Sequence, residues 1–442
     1  MTLDTEAAAI RWGFGLPAGD AADGMLKRLA GPDRAAVTWP GVPLTKLGPV
    51  LAAHQAARKA KDEGALKAAQ RQAGQLALQG LQATFARAIG SDDPLRERLV
   101  AFWADHFTTA PRKQVEAALP GTLIDDAIRP HVTGRFADML RAVITYPGML
   151  IYLNQEASFG PRSRRGQKRD KGLNENLARE LMELHTLGVG ALYTQTDVRE
   201  LAELLTGLTV DPSQGFVFDP GRAEPGPETV LGRTYFGEGL KPVLQALDDL
   251  ATRPETAAHL ARKLAVHFVA DDPDPALVAA VTACWRGTGG DLLAVVQALV
   301  THAAAMTPEG GKARQPFDFM VAALRALGVS PAKVLSADAK AVKRLILDPL
   351  AAMGQPYQRA PGPDGWPEPA ADWITPPGLA ARIDWAMNAP ERLVRPLPDP
   401  RAFLTAALGH RAGQRLTWAV GAAESARDGV GLVLASPDFN QR

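Results

Sequence analysis

Apolar residues recur at three- and four-residue intervals over most of the chain, the period of a helix that buries one face. Alanine and leucine dominate while β-branched and aromatic residues are sparse, which favours helix over strand. The spacing predicts helices near residues 20–30, 44–61, 64–90, 93–109, 121–129, 134–146, 173–187 and 196–208. It predicts further ones near 240–250, 254–270, 274–287, 290–305, 315–327, 338–352, 376–387, 400–408, 412–425 and 428–436.

Proline and glycine cluster between these segments, where the one removes a donor and the other tolerates positive φ, so both are expected to end helices. The most loop-like stretches are 209–237 and 354–376. The first, with Val217, Phe218, Val230 and Tyr235, is expected to hold a small hairpin. The fold class is therefore all-α: a large multi-helix bundle with long Pro/Gly-rich connections and at most a small hairpin. Its 442 residues exceed the size at which single cores stop growing. That points to two lobes, or to one large domain with an extension. The soft boundary lies in the connection 209–239, between an N-terminal lobe of 1–208 and a C-terminal lobe of 240–442.

Charge removes some functions from consideration. The 49 Lys and Arg residues balance 48 Asp and Glu, so there is no basic excess to neutralise a phosphate backbone, and nucleic acid is not an expected partner. The single Cys284 excludes an internal disulfide and any multi-cysteine zinc or iron–sulfur site. The opening residues show neither the basic segment nor the apolar run of a secretory signal, and no uncharged apolar stretch reaches the roughly 18 residues that span a bilayer. Phosphate-binding, His-Glu-x-x-His, nucleophile-elbow and dinucleotide motifs are absent as well.

Two segments are candidates for chemistry. Leu95, Leu99, Phe102, Trp103 and His106 follow one another at helical offsets, which centres His106 on an apolar stripe and predicts its burial. A core histidine satisfied by a carbonyl or carboxylate competes there with a ligand or proton-transfer role. The segment Gly172–Gly190 carries a stripe of Leu173, Leu177, Leu181, Leu184 and Leu187, with Asn176, Glu180 and Glu183 along one margin and Asn174 and His185 along the other. Half-buried carboxylates need partners, and Arg179 is read as projecting elsewhere on its helix, so those partners are expected from another element. His106, Asn176, Glu180 and Glu183 are the catalytic candidates, with a divalent metal as the candidate cofactor. Asn174, Arg179 and His185 are binding candidates.

Two loops add to the list. The run Arg162–Lys171, containing Arg164 and Arg165, is expected to be a solvated mobile loop, or one delivering cations toward Glu175, a phosphate or an acidic partner. Trp366, with Trp373, serves either as an aromatic sugar platform or as a clamp holding a long connection on the core.

The pattern Asn174-Glu175-Asn176 through Ala178-Arg179-Glu180-Leu181, then Thr186-Leu187-Gly188-Val189-Gly190, Tyr193-Thr194 and Leu205-Thr206-Gly207, resembles the signature of the bacterial family known as domain of unknown function 1800. Supporting matches run from Gly13-Phe14-Gly15 to Ser436-Pro437 and include Phe102-Trp103 with His106-Phe107, Lys263-Leu264 with His267-Phe268, and Gly365-Trp366-Pro367. Where relatives often place histidines this chain has Ala223 and Arg253, so a metal site needing them is incomplete.

The resemblance implies kinship without a mechanism. It also implies a protein partner, because relatives are frequently encoded beside a second family whose members carry a twin-arginine export signal. An accessory or binding protein follows, cytoplasmic by default or periplasmic as a folded passenger. The alternative is an enzyme using His106, Glu180 and Glu183 for acid–base or metal-assisted chemistry. A minor third, a haem peroxidase-like protein, rests on Trp103, Asp105-His106 and His185-Thr186-Leu187, but lacks the Arg-x-x-Glu spacing because Met182 follows Arg179 by three.

Overall fold

A computed structural model describes residues 3–17, 19–170, 172–211, 213–306 and 311–442; Lys171 of the basic run lies outside the described residues. The architecture is mostly α-helical, with two small antiparallel strand pairs. Among the described residues no helix is long and apolar enough to cross a membrane.

Helix starts are written locally. Asp62 caps the long helix Glu63–Gly90 by accepting from Ala65 N at 2.9 Å, and Asp93 caps Pro94–His106 by accepting from Arg96 N at 3.1 Å. Thr194 and Asp197 form the reciprocal capping box at the head of Gln195–Leu204. Proline also begins helices. Pro94, Pro254, Pro275, Pro316, Pro376, Pro400 and Pro437 all occupy first-turn positions, where the missing N–H would have had no intrahelical partner.

The helices bury two principal cores. One joins side chains from Ala8 to Ala305, including Leu99, Phe102, Trp103, Leu181 and Leu264. The Pro/Gly-rich connection 209–239 does not interrupt it, since Leu205, Val230 and Leu247 all belong to it. The other gathers Phe14, the Leu81–Ile89 part of the long helix, and Phe319 to Phe439. Buried ion pairs stitch the two together: Asp318 pairs with Arg98 and, at 3.1 Å, with Arg442.

Inside 209–239 the expected single hairpin is instead two. Strand β1 (Leu208–Asp211) pairs antiparallel with β2 (Gly215–Phe218), and β3 (Glu228–Val230) with β4 (Arg233–Tyr235). Leu231 and Gly232, at φ 50° and 77°, supply the left-handed pair that a two-residue hairpin turn requires. The run 162–169 is likewise not a mobile loop. Ser163 caps a short helix, Arg164–Arg169, by accepting from Gly166 N at 3.1 Å. Arg162 and Arg165 reach across to Glu224 and Asp219, so their cations are spent on the hairpin region and not on Glu175.

Candidate functional site

The signature segment departs from a regular helix at a decisive place. Asn176–Glu180 is α-helical, but Leu181–Thr186 is wound as a π-helix, with Leu187 N donating to Met182 O at 2.9 Å. The wider turn rotates the buried face. Met182, His185 and Thr186 go inward, while Leu184, assigned to the core by a regular period, is only half-buried. Gly188, at φ 91°, closes the segment because a Cβ there would sit 2.8 Å from His259 Nδ1.

His106 is 2% exposed and neutral. Its Nε2 lies 3.3 Å from the His185 carbonyl, and Lys263 Nζ lies 3.2 Å from its Nδ1. Those partners assign the proton to Nε2 and leave Nδ1 to accept from the lysine. Burial, then the Lys263 charge, push the imidazole pKa well below its usual value. His185, 1% exposed, sits with its ring 5.9 Å from that of His106; burial lowers it to about 3, and neither of its ring nitrogens has a partner.

The acidic margin behaves differently. Glu183 accepts from Arg179 Nη1 at 3.3 Å, and Glu175 from Arg179 Nη2 at 3.3 Å. The reading that Arg179 points away from these carboxylates is thus corrected: residues four apart are neighbours on a helix surface, and the arginine spans both directions. Gln195 adds a bond to Glu175 at 2.8 Å. Glu180 is half-buried, its pKa raised by burial and then by Glu183. Among the described residues no hydrogen bond or ion pair joins His106 to Glu180 or Glu183. Asn176 is exposed, and Asn174 clamps the chain by donating to the carbonyls of Leu153 and Asn154 at 3.3 and 3.1 Å. Arg164 is exposed.

The structure gathers instead a set that periodicity did not single out. Lys263 lies on the helix Pro254–Phe268 between His259 and His267, a polar row at four-residue spacing. Burial lowers its pKa, against Asp105, Glu368 and Asp364, which raise it. Asp105 stands in the last turn of the His106 helix, where the helix dipole disfavours an anion. Its Oδ1 accepts from Trp366 N at 2.9 Å, and burial raises its pKa to about 7, opposed by that bond and by Lys263. Glu368 is driven the other way, to about 2, by His267 and Lys312, which meet its two carboxylate oxygens at 2.6 and 3.1 Å.

Trp366 and Trp373 pack with centroids 6.0 Å apart, and Trp373 Nε1 donates to Pro367 O at 2.9 Å, so the tryptophan loop folds back over Asp105. Gly365 permits that approach: a Cβ there would meet Asp105 O at 2.7 Å. Between the two cores, and lined by Asp105, Trp366, Phe107, Phe317 and Tyr357, lies a cavity of about 150 Å³. Among the described residues no three His, Cys, Asp or Glu side chains converge as metal ligands would.

Chemically the arrangement offers one carboxyl poised to gain or lose a proton, set against a cavity and backed by an amine–imidazole pair. The family described as "Protein of unknown function (DUF1800)" matches residues 9–441. No curated protein and no solved structure matches the chain.

Proposed function

The chain belongs to the DUF1800 family, and we propose that it is an enzyme that holds a small molecule in the cavity between its cores and moves a proton through Asp105. One observation carries this: Asp105 faces the cavity with the Trp366 N–H as its hydrogen-bond partner, while Lys263, the amine whose charge acts on it, is turned to His106 Nδ1. A carboxyl that titrates near neutrality exchanges protons in either direction at small cost, which is what general acid–base catalysis needs. Lys263 and His106 act as positioning residues. The amine supplies a positive field that favours the ionised carboxyl, and the neutral imidazole holds the amine in place. Of the residues proposed from sequence, His106 belongs to this reading directly, and Trp366 holds the carboxyl and lines the cavity.

Calorimetric titration of fragments of on the order of ten heavy atoms or fewer, run in buffers of different ionisation enthalpy, counts the protons exchanged on binding. Cavity ligands are expected to exchange up to about half a proton at pH 7 in the native protein, and none in Asp105→Asn. An unchanged proton count in the variant overturns the proposal.

A second reading, docking to a protein partner such as one bearing a twin-arginine signal, is favoured by Val189 and Leu192, which are 78% and 91% exposed just beyond the signature helix. Val189→Ser with Leu192→Ser is expected to weaken association with a partner bearing a twin-arginine signal in a pull-down. Undiminished binding removes that reading.

A further inference from the structure

Each charged group lining the cavity, with one exception, is already matched by a direct ion pair. Arg87 meets Asp125 at 2.8 Å, and Arg129 Nη1 donates to Glu97 at 2.9 Å. Asp318 holds Arg98 and Arg442, and His267 holds Glu368 at 2.6 Å. Asp105 is the exception. Among the described residues no cation pairs with it within ion-pair distance, and Lys263, Glu368 and Asp364 influence it only at longer range. The remaining lining is largely apolar and aromatic: Phe14, Phe107, Phe317, Tyr357 and Trp366, with Ala101 and Ala104 leaving room on the His106 helix. Aromatic faces carry partial negative charge, so this wall favours a cation over an anion. A volume of about 150 Å³ is the size that admits a single benzene ring.

We propose that the cavity binds a small organic amine as its cation, with a ring-sized apolar body against the aromatic wall and its ammonium group seated on Asp105. The inference rests on the reading of Asp105 as the working group and names the class of molecule it serves. The ammonium completes the one unmatched charge in the lining, and the body displaces solvent from apolar surface. A carboxylate ligand would meet Asp105 with like charge and gain nothing from Arg87 or Arg129, whose guanidinium groups are committed. Binding draws the Asp105 carboxyl to its ionised form, so affinity rises with pH until that carboxyl is fully ionised in the free protein. Above that point it stays level while the amine remains protonated.

The probes are benzylamine, benzyl alcohol and benzoate, titrated calorimetrically into the full chain at pH 8. Benzylamine is expected to bind roughly tenfold tighter than benzyl alcohol, the worth of one charge-assisted hydrogen bond, and benzoate weakest. Asp105→Asn is expected to erase the amine's advantage while leaving the alcohol within about twofold. Ala101→Leu, which fills the cavity, is expected to weaken all three. Benzoate binding as tightly as the amine, an amine preference that survives Asp105→Asn, affinities indifferent to Ala101→Leu, or no binding of any probe overturns the inference. Proton exchange by other fragments without an amine preference sinks this inference alone. In a parallel titration at pH 7, amine binding with no proton released sinks the proton-transfer reading and leaves the amine site standing.

Discussion

Replacing Asp105 by asparagine keeps the side chain's shape and its acceptor for the Trp366 N–H but removes the ionisable group. An ordinary aspartate titrates at 3.8, and this one titrates at about 7 in the folded protein. Between those values the folded state binds the extra proton and the unfolded state does not, so the native protein loses stability as pH rises through that interval. Below about pH 4 the carboxyl is protonated in both states and the loss vanishes; above about pH 7 it is complete. At 1.36 kcal/mol per unit, a displacement of about three units corresponds to roughly 4 kcal/mol. That value already sets the Lys263 attraction against burial; burying the asparagine NH2 group gives back part of the gain, which leaves Asp105→Asn more stable than the native protein by about 2–4 kcal/mol at pH 8. Urea unfolding of both proteins at pH 4, 6 and 8 reads this directly as a gap between midpoints that opens with pH. A variant less stable at pH 8, or a gap independent of pH, would show that Asp105 is not held against its preference.

Other substitutions test neighbouring claims. Lys263→Met removes the positive field over Asp105 and is expected to move that carboxyl's titration upward from about 7, read by carbon-detected NMR of the side chain; a downward move contradicts the assignment. His185→Leu discards two buried, unpartnered ring nitrogens and is expected to be neutral or to stabilise by about 1–2 kcal/mol in urea unfolding. Asp318→Asn leaves Arg98 and Arg442 facing each other without their carboxylate and is expected to cost about 3–5 kcal/mol. Arg179→Met breaks only half-exposed pairs, so less than about 1 kcal/mol should be lost. Gly365→Ala drives a methyl group into the Asp105 backbone at φ 84° and should destabilise the fold by about 2 kcal/mol or more, with loosened protection of the Trp366 amide in hydrogen exchange.

Much of the helical layout was legible because it is written in repeats. The expected 44–61 and 254–270 appear as Leu44–Ala60 and Pro254–Phe268, helices of several turns, the second opened by Pro254 in its first turn. Short helices such as Arg34–Thr38, Pro147–Tyr152 and Arg164–Arg169 escaped because one or two turns contain too little period to detect. The π-turn at Leu181–Thr186 was illegible in principle from spacing alone, since the wider winding changes the very period by which faces are assigned. Burial of His106 followed from its stripe. Asp105 did not stand out, because its cavity is made by a loop more than two hundred residues away whose approach depends on Gly365. The row His259, Lys263 and His267 was the available signal for the rest: three basic side chains at four-residue spacing along a helix that otherwise buries leucine and alanine.

Asp105 and Glu368 sit in one small region, both influenced by the same buried lysine, and their surroundings push them in opposite directions. Glu368, met by His267 and Lys312, stays ionised throughout the physiological range. Asp105, at the unfavourable end of a helix dipole, sits at the midpoint of its titration near pH 7. Two carboxyls separated in this way, one a fixed anion and one titrating near neutrality, are what the proposed acid–base role of Asp105 requires. A core selected for stability alone would gain by replacing Asp105 with a neutral residue of the same shape, and would gain again by filling the space beside Ala101 and Ala104. Both losses meet at one point, where an unmatched charge faces an open volume, so a common cause is simpler than two independent defects. A ligand that brings its own charge and its own bulk removes both at once.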